Sequence, residues 1–170
     1  KTEPAAYRNI VEIIRLVAPF FDDFDLKPDR RDESKIRLEW RESGSDAYFD
    51  ANALSDGTLR FMCLATLMLQ PKRRLPTTIL IDEPELGLHP YAIGVLADLL
   101  TSTATETQLI VSTQSVTLVN QLDYDQIVVV DLDDRQSAFR HLDKAEMAHW
   151  LDEYGLGDLW EKNVLGGRPR

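Results

Sequence analysis

The sequence predicts an α/β fold with a mainly parallel central sheet flanked by helices. Three observations carry that prediction. Two short, continuous apolar runs rich in β-branched residues, 77–81 and 108–112, read as sheet strands covered on both faces. Between them, residues 90–100 repeat Ile93, Leu96, Ala97 and Leu100 at helical spacing. Strand-like and helix-like segments then keep alternating toward the end of the chain, the pattern of βαβ units.

The elements follow in order. Residues 4–21 read as an amphipathic helix, with Tyr7, Ile10, Val11, Ile14 and Val17 on one face; Pro19 and the acids Asp22, Asp23 and Asp25 end it. Residues 27–34 are a charged loop. Ile36, Leu38 and Trp40 alternate with Arg37, Glu39 and Arg41, the period of a half-buried strand, and 47–49 is its return strand after a Ser-Gly-Ser-Asp turn. Residues 59–69 are apolar nearly all round, as in a buried helix, and Pro71 stops it. Lys72-Arg73-Arg74 reads as an exposed loop rather than a phosphate-binding patch. After strand 108–112 come a short helix, a strand over 127–131, an edge strand over 138–142, and helices over 144–154 and 158–164. The tail 166–170 reads as flexible.

Composition bounds the function. With 170 residues and 44% hydrophobic content the chain is long enough for a single domain with a real core, so disorder is excluded as the whole answer. The net charge of −10 argues against indiscriminate nucleic-acid binding and leaves a local basic site open. No apolar run is long enough to span a bilayer. A single cysteine, Cys63, and a start without signal-peptide layout favour the cytoplasm. Cys63, His89, His141 and His149 have no zinc-ligand spacing.

The chemistry concentrates in three segments. Ile79-Leu80-Ile81-Asp82-Glu83-Pro84 delivers two acids at the carboxyl end of a strand, where open α/β sheets bind ligands. One carboxylate there can serve Mg²⁺, which takes few protein oxygens and keeps phosphates and water. Its neighbour can deprotonate a water, and the pair suits phosphoryl hydrolysis. Acids also favour strand ends and helix starts for purely structural reasons. Leu54-Ser55-Asp56-Gly57-Thr58 precedes the apolar helix: Ser55 or Asp56 can cap it, Gly57 allows close backbone approach, and the helix start favours an anion. Taken alone, the tetrapeptide is a plain N-cap. Ser112-Thr113-Gln114-Ser115 ends the next strand in polar side chains, and Gln114 can reach a phosphate or a water. A fourth set, Asp131, Asp133 and Asp134 together with Glu83, resembles the acids of TOPRIM nucleases, but Pro84 after Glu83 departs from that pattern and turn acids are common.

In order and spacing, the segments over 54–131 resemble the second half of an ABC-type ATPase of the RecF, SMC and OLD-like branch, most closely the stand-alone RecF-like AAA family ATPases of bacteria. Leu54 to Arg60 looks like the ABC signature, Ile79 to Glu83 like Walker B, Leu86 to Pro90 like the D-loop, and Ser112 to Ser115 stands where the switch-histidine loop belongs. The resemblance implies an ABC/RecF-like P-loop NTPase that hydrolyses ATP with Mg²⁺ as a dimer closed across the nucleotide. Asp82 would be the metal-linked acid, Glu83 the catalytic base and Gln114 the switch residue, with Ser55, Asp56, Gly57 and His89 binding nucleotide. Three departures stand out: Asp56 replaces a common Gly, Thr58 a common Gln or Glu, and Gln114 the switch His. No Gly-Lys pair occurs, so the Walker A loop is missing and the expected partner is an N-terminal half that carries it. The chain alone is then expected to bind ATP poorly and turn it over negligibly, as a fragment or one piece of a split protein. The alternative is a non-catalytic dimerisation module derived from such an ATPase.

Overall fold

The structure, a computed structural model, describes residues 3–29, 32–143, 145, 147, 150 and 153–167. These divide into two compact units, Lys1–Val111 and Ser112–Arg170.

The first unit opens with helix α1, Pro4–Val17, whose Ile10, Val11 and Ile14 are buried. It packs against α2, α3 and β1. The acidic stretch predicted only to end this helix forms a strand instead: β1, Phe21–Asp25, pairs antiparallel with β2, Glu39–Glu42, which pairs antiparallel with β3, Tyr48–Asp50. Charge pairing makes an acid-rich strand tolerable. Arg15 and Arg41 both hold Asp22, and the Tyr7 hydroxyl donates to Asp23. Phe21 is fully buried, and Trp40 stacks on Phe49 with ring centroids 4.9 Å apart. The predicted strand start at Ile36 is also displaced: Ile36 is exposed and forms only an isolated bridge to Pro28.

Helix α2, Asp56–Met68, begins three residues earlier than its apolar run, because Ser55 caps it. Phe61, Met62, Leu64, Ala65 and Met68 are buried while Cys63 is exposed, so the helix is covered on most but not all of its surface. The basic triplet is an exposed single turn, with Lys72 paired to Glu106 and Arg73 to Glu3.

Strands β4, Thr78–Asp82, and β5, Gln108–Ser112, form a two-stranded sheet joined through helix α3, Pro90–Ala104. Their starts lie side by side: the Gln108 amide donates to the Thr77 carbonyl, and the Thr78 hydroxyl to the Gln108 side chain. The strands therefore run parallel, as the α/β class requires. Coverage on both faces is corrected. Thr78 and Gln108 share a face, so by the two-residue period Leu80 and Ile110 share it as well. These two are 73% and 50% exposed, whereas Ile79 on the other face is buried. No described helix is long and apolar enough to cross a membrane.

The second unit holds α4, Val116–Val119, an antiparallel hairpin of β6, Val128–Asp133, and β7, Gln136–His141, and α5, Leu156–Glu161. Its core comprises Val119, Val129, Leu142, Met147, Leu156, Leu159 and Leu165. Asp134 and Arg135 both have positive φ, the two-residue turn that matches hairpin twist. Most of the predicted helix 144–154, with His149, and the end of the tail, 168–170, lie outside the described residues; Trp150 and Tyr154 pack at 6.3 Å as their spacing suggested. The rest of the tail is tied down. Leu165 is buried and its carbonyl accepts from Arg140, and the Gly167 amide donates to Asp131.

Candidate functional site

The site is built on the first unit. Strand β4 ends at Asp82, which is exposed. Glu83 follows in a left-handed conformation, φ 44°, half-buried, between the strand end and the fully buried Pro84. A non-glycine residue held there stores strain that its surroundings must sustain, and such residues cluster at functional sites. Two donors meet the Glu83 carbonyl: the Leu86 amide at 3.3 Å, which closes a turn, and Arg60 Nη1 at 2.9 Å. Glu85 within that turn is buried.

The start of α2 lies against the same segment. Ser55 Oγ accepts from the Thr58 amide at 3.1 Å and lies 2.9 Å from the Thr58 hydroxyl, so the plain N-cap predicted for this residue is present. Ser55 and Asp56 are exposed, and Gly57 is buried. What requires glycine at position 57 is protein backbone: a Cβ there would stand 2.1 Å from the carbonyl oxygen of Gly87. Gly87 has φ +79°, a conformation that glycine adopts without penalty. Two residues on, His89 caps α3, its Nδ1 accepting from the Tyr91 amide at 3.2 Å.

Ser55, Asp56, Gly57, Glu83 and His89 thus belong to one neighbourhood, reached through the Gly57–Gly87 approach and the Arg60–Glu83 bond, with Asp82 next in chain to Glu83. Gln114 lies two residues past the end of β5, exposed, in the second unit. Of the three aspartates in the fourth set, Asp131 accepts from the Gly167 amide, Asp133 ends β6 and Asp134 sits in the hairpin turn with positive φ. Among the described residues no group of three or more His, Cys, Asp or Glu side chains gathers as a metal site. Arg60, the last residue of the signature-like segment, has a partner that the sequence did not reveal, because the bond spans 23 residues. The positive φ of Glu83 and the burial of Glu85 left no mark in the residue pattern.

Residues 3–120 match the family described as an AAA domain, putative AbiEii toxin, type IV TA system. No curated protein matches the chain. Among solved structures, a chain from work on ATP-driven dimerization and DNA-stimulated activation of SMC ATPases matches with TM-score 0.64 at 24% identity, covering 89% of this chain and 92% of that one. The Smc head bound to the C-winged helix domain of ScpA matches with TM-score 0.67 at 23% identity over 87% of this chain. The Smc head of Pyrococcus furiosus with an extended coiled coil, bound to the C-terminal domain of ScpA, matches with TM-score 0.67 at 25% identity over 89%. The chain spans 45% and 38% of those last two. The fold is that of SMC ATPase heads, and the chain belongs to the AAA-domain family named above, a family of P-loop ATPases.

Proposed function

We propose that this chain is the signature-bearing part of an ATP hydrolase that works as a dimer closed across ATP. It supplies Asp82 and Glu83 to its own nucleotide, and the exposed Ser55 and Asp56 to the nucleotide of a second copy, with Gly57 holding that helix start against Gly87. The observation that carries this reading is the exposure of Ser55 and Asp56 at a capped helix start that also holds Glu83 from behind through Arg60.

The residues present fit the groups this activity needs. A single exposed aspartate at a strand end suits a magnesium ion that arrives with phosphates, because Mg²⁺ keeps most of its shell as water and phosphate oxygens. Bound there, the ion would neutralise charge on the phosphates. Ser55 and Asp56 are exposed at the start of α2, and a helix start suits an anion. Glu83 acts as the base, its carboxylate accepting a proton from the attacking water. His89 orders the start of α3 beside Gly87.

The uncovered face of β4 and β5 supports a missing half. Parallel sheets are ordinarily covered on both faces, and Leu80 and Ile110 stand exposed. We place the Walker A half on that face. The sequence lacks its lysine and glycine loop, so this chain alone turns over ATP negligibly. SMC ATPases are described as dimerising under ATP, which is the cycle proposed here.

The test is Glu83→Gln in the protein joined to its Walker A half. The amide keeps the shape and loses the base, so ATP binding is retained and steady-state hydrolysis falls by roughly a hundredfold or more. Undiminished turnover would remove Glu83 from its role. Association of the two copies that ignores both ATP and Mg²⁺ would favour the non-catalytic module.

A further inference from the structure

We infer that Arg60 is a positioning residue for Glu83, holding the base through its main chain; this rests on the reading of Glu83 as the base. The argument begins with the conformation. Glu83 is left-handed at φ 44°, and Pro84 after it narrows its backbone choices further. Pro84 has no amide hydrogen, so the 83–84 peptide is anchored only through its oxygen. That oxygen receives one bond from within its own turn, a 3.3 Å contact from Leu86, and one from outside it, the 2.9 Å bond from Arg60. Arg60 thus refers the peptide to another element. A charged donor makes the stronger of the two bonds.

Arg60 also has no competing task in the core. It is exposed and stands on the first turns of α2, the helix that Ser55 caps. The Gly57–Gly87 approach fixes that helix start against residues 83–87 on a second contact. The side chain therefore joins the segment carrying the base to the helix that, in the proposed dimer, faces the other nucleotide. Any displacement of the α2 start on engaging that nucleotide is passed to the Glu83 peptide by this bond. Arg60 itself touches no reacting atom; it acts through the angle at which the Glu83 side chain leaves the main chain.

The experiment uses the protein joined to its Walker A half and compares Arg60→Ala, Arg60→Lys and Glu83→Gln with the double variant R60A/E83Q. We expect Arg60→Ala to lower kcat by about tenfold, the loss of one charge-assisted bond, with KM for ATP unchanged. Arg60→Lys keeps a cationic donor and recovers part of the rate. The double variant is no slower than Glu83→Gln alone, because without the base its positioning is immaterial. Three results overturn the inference: full kcat in Arg60→Ala, a raised KM with kcat unchanged, or additive losses in the double variant. Should Arg60→Ala fail to fold, Arg60→Lys and its double with Glu83→Gln carry the same comparison. Wild-type turnover in Glu83→Gln refutes the proposed function itself; a dead Glu83→Gln beside a fully active Arg60→Ala refutes only the role of Arg60.

Discussion

Gly57 and Gly87 meet backbone to backbone: a methyl group on Gly57 would lie 2.1 Å from the Gly87 carbonyl oxygen and 2.7 Å from its carbon. The contact locks the start of α2 to the turn after β4, the two segments that carry the candidate site. Gly57→Ala forces one of them to move, and a main-chain neighbour cannot rotate away as a side chain can. We expect a loss of about 1–3 kcal/mol, the usual cost of overpacking, read as a lower denaturant midpoint with unchanged slope. The same variant should impair ATP-dependent association. A fully stable Gly57→Ala would show that the approach is looser than described.

The β1–β2–β3 sheet has its own signature in pH. Burial, and then the hydrogen bond to Asp23, push the Tyr7 hydroxyl well above its ordinary value of 10. A raised tyrosine pKa favours the neutral form in the folded state. The stability it lends is complete below pH 10 and is lost as pH rises above that value toward the folded one. Tyr7→Phe removes the donor, costs about 1 kcal/mol at neutral pH, and flattens the alkaline decline of the denaturant midpoint. An unaltered decline in Tyr7→Phe would assign it to other groups.

The exposed face of β4 and β5 tests the missing-half reading. Leu80 is 73% exposed. If the Walker A half covers it, Leu80→Lys should weaken assembly of the two separately expressed halves by roughly tenfold or more, since burying one leucine is worth about 1.5–3 kcal/mol. The measurement is the dissociation constant of the halves; an unchanged value would place the partner elsewhere.

Much of this was legible in the residues, and the failures share a cause. Helix α3 and strand β5 follow from apolar runs and their spacing, with β5 reproduced at both ends. Strand β1 escaped because three of its five residues are aspartates; Arg15, Arg41 and Tyr7 make it viable, and these partners are distant in sequence. The β4 run reads as doubly covered, yet a run of apolar residues records the surroundings a strand needs and not whether this chain provides them. At the site, the acids and the Ser55 cap could be read directly. The glycine at 57 was expected to admit a ligand, but the bare Cα is required by Gly87. Arg60's bond to Glu83 and the left-handed turn depend on tertiary placement, which no periodicity encodes. Gln114 was legible as a polar residue past the end of β5, and its switch role comes only from the family resemblance.

The most direct test of the central claim is a mixing experiment on the protein joined to its Walker A half, with Glu83→Gln in one preparation and Ser55→Arg in the other. Each alone should be inactive, since both sites of either homodimer lack one essential residue. In the mixed dimer one site combines an intact Glu83 from one copy with an intact Ser55 from the other. The account predicts that mixing restores hydrolysis, up to about half the wild-type rate per site at full heterodimer formation. Confirmed heterodimers that remain inactive would contradict it, because Glu83 and Ser55 would then serve the same nucleotide from a single chain.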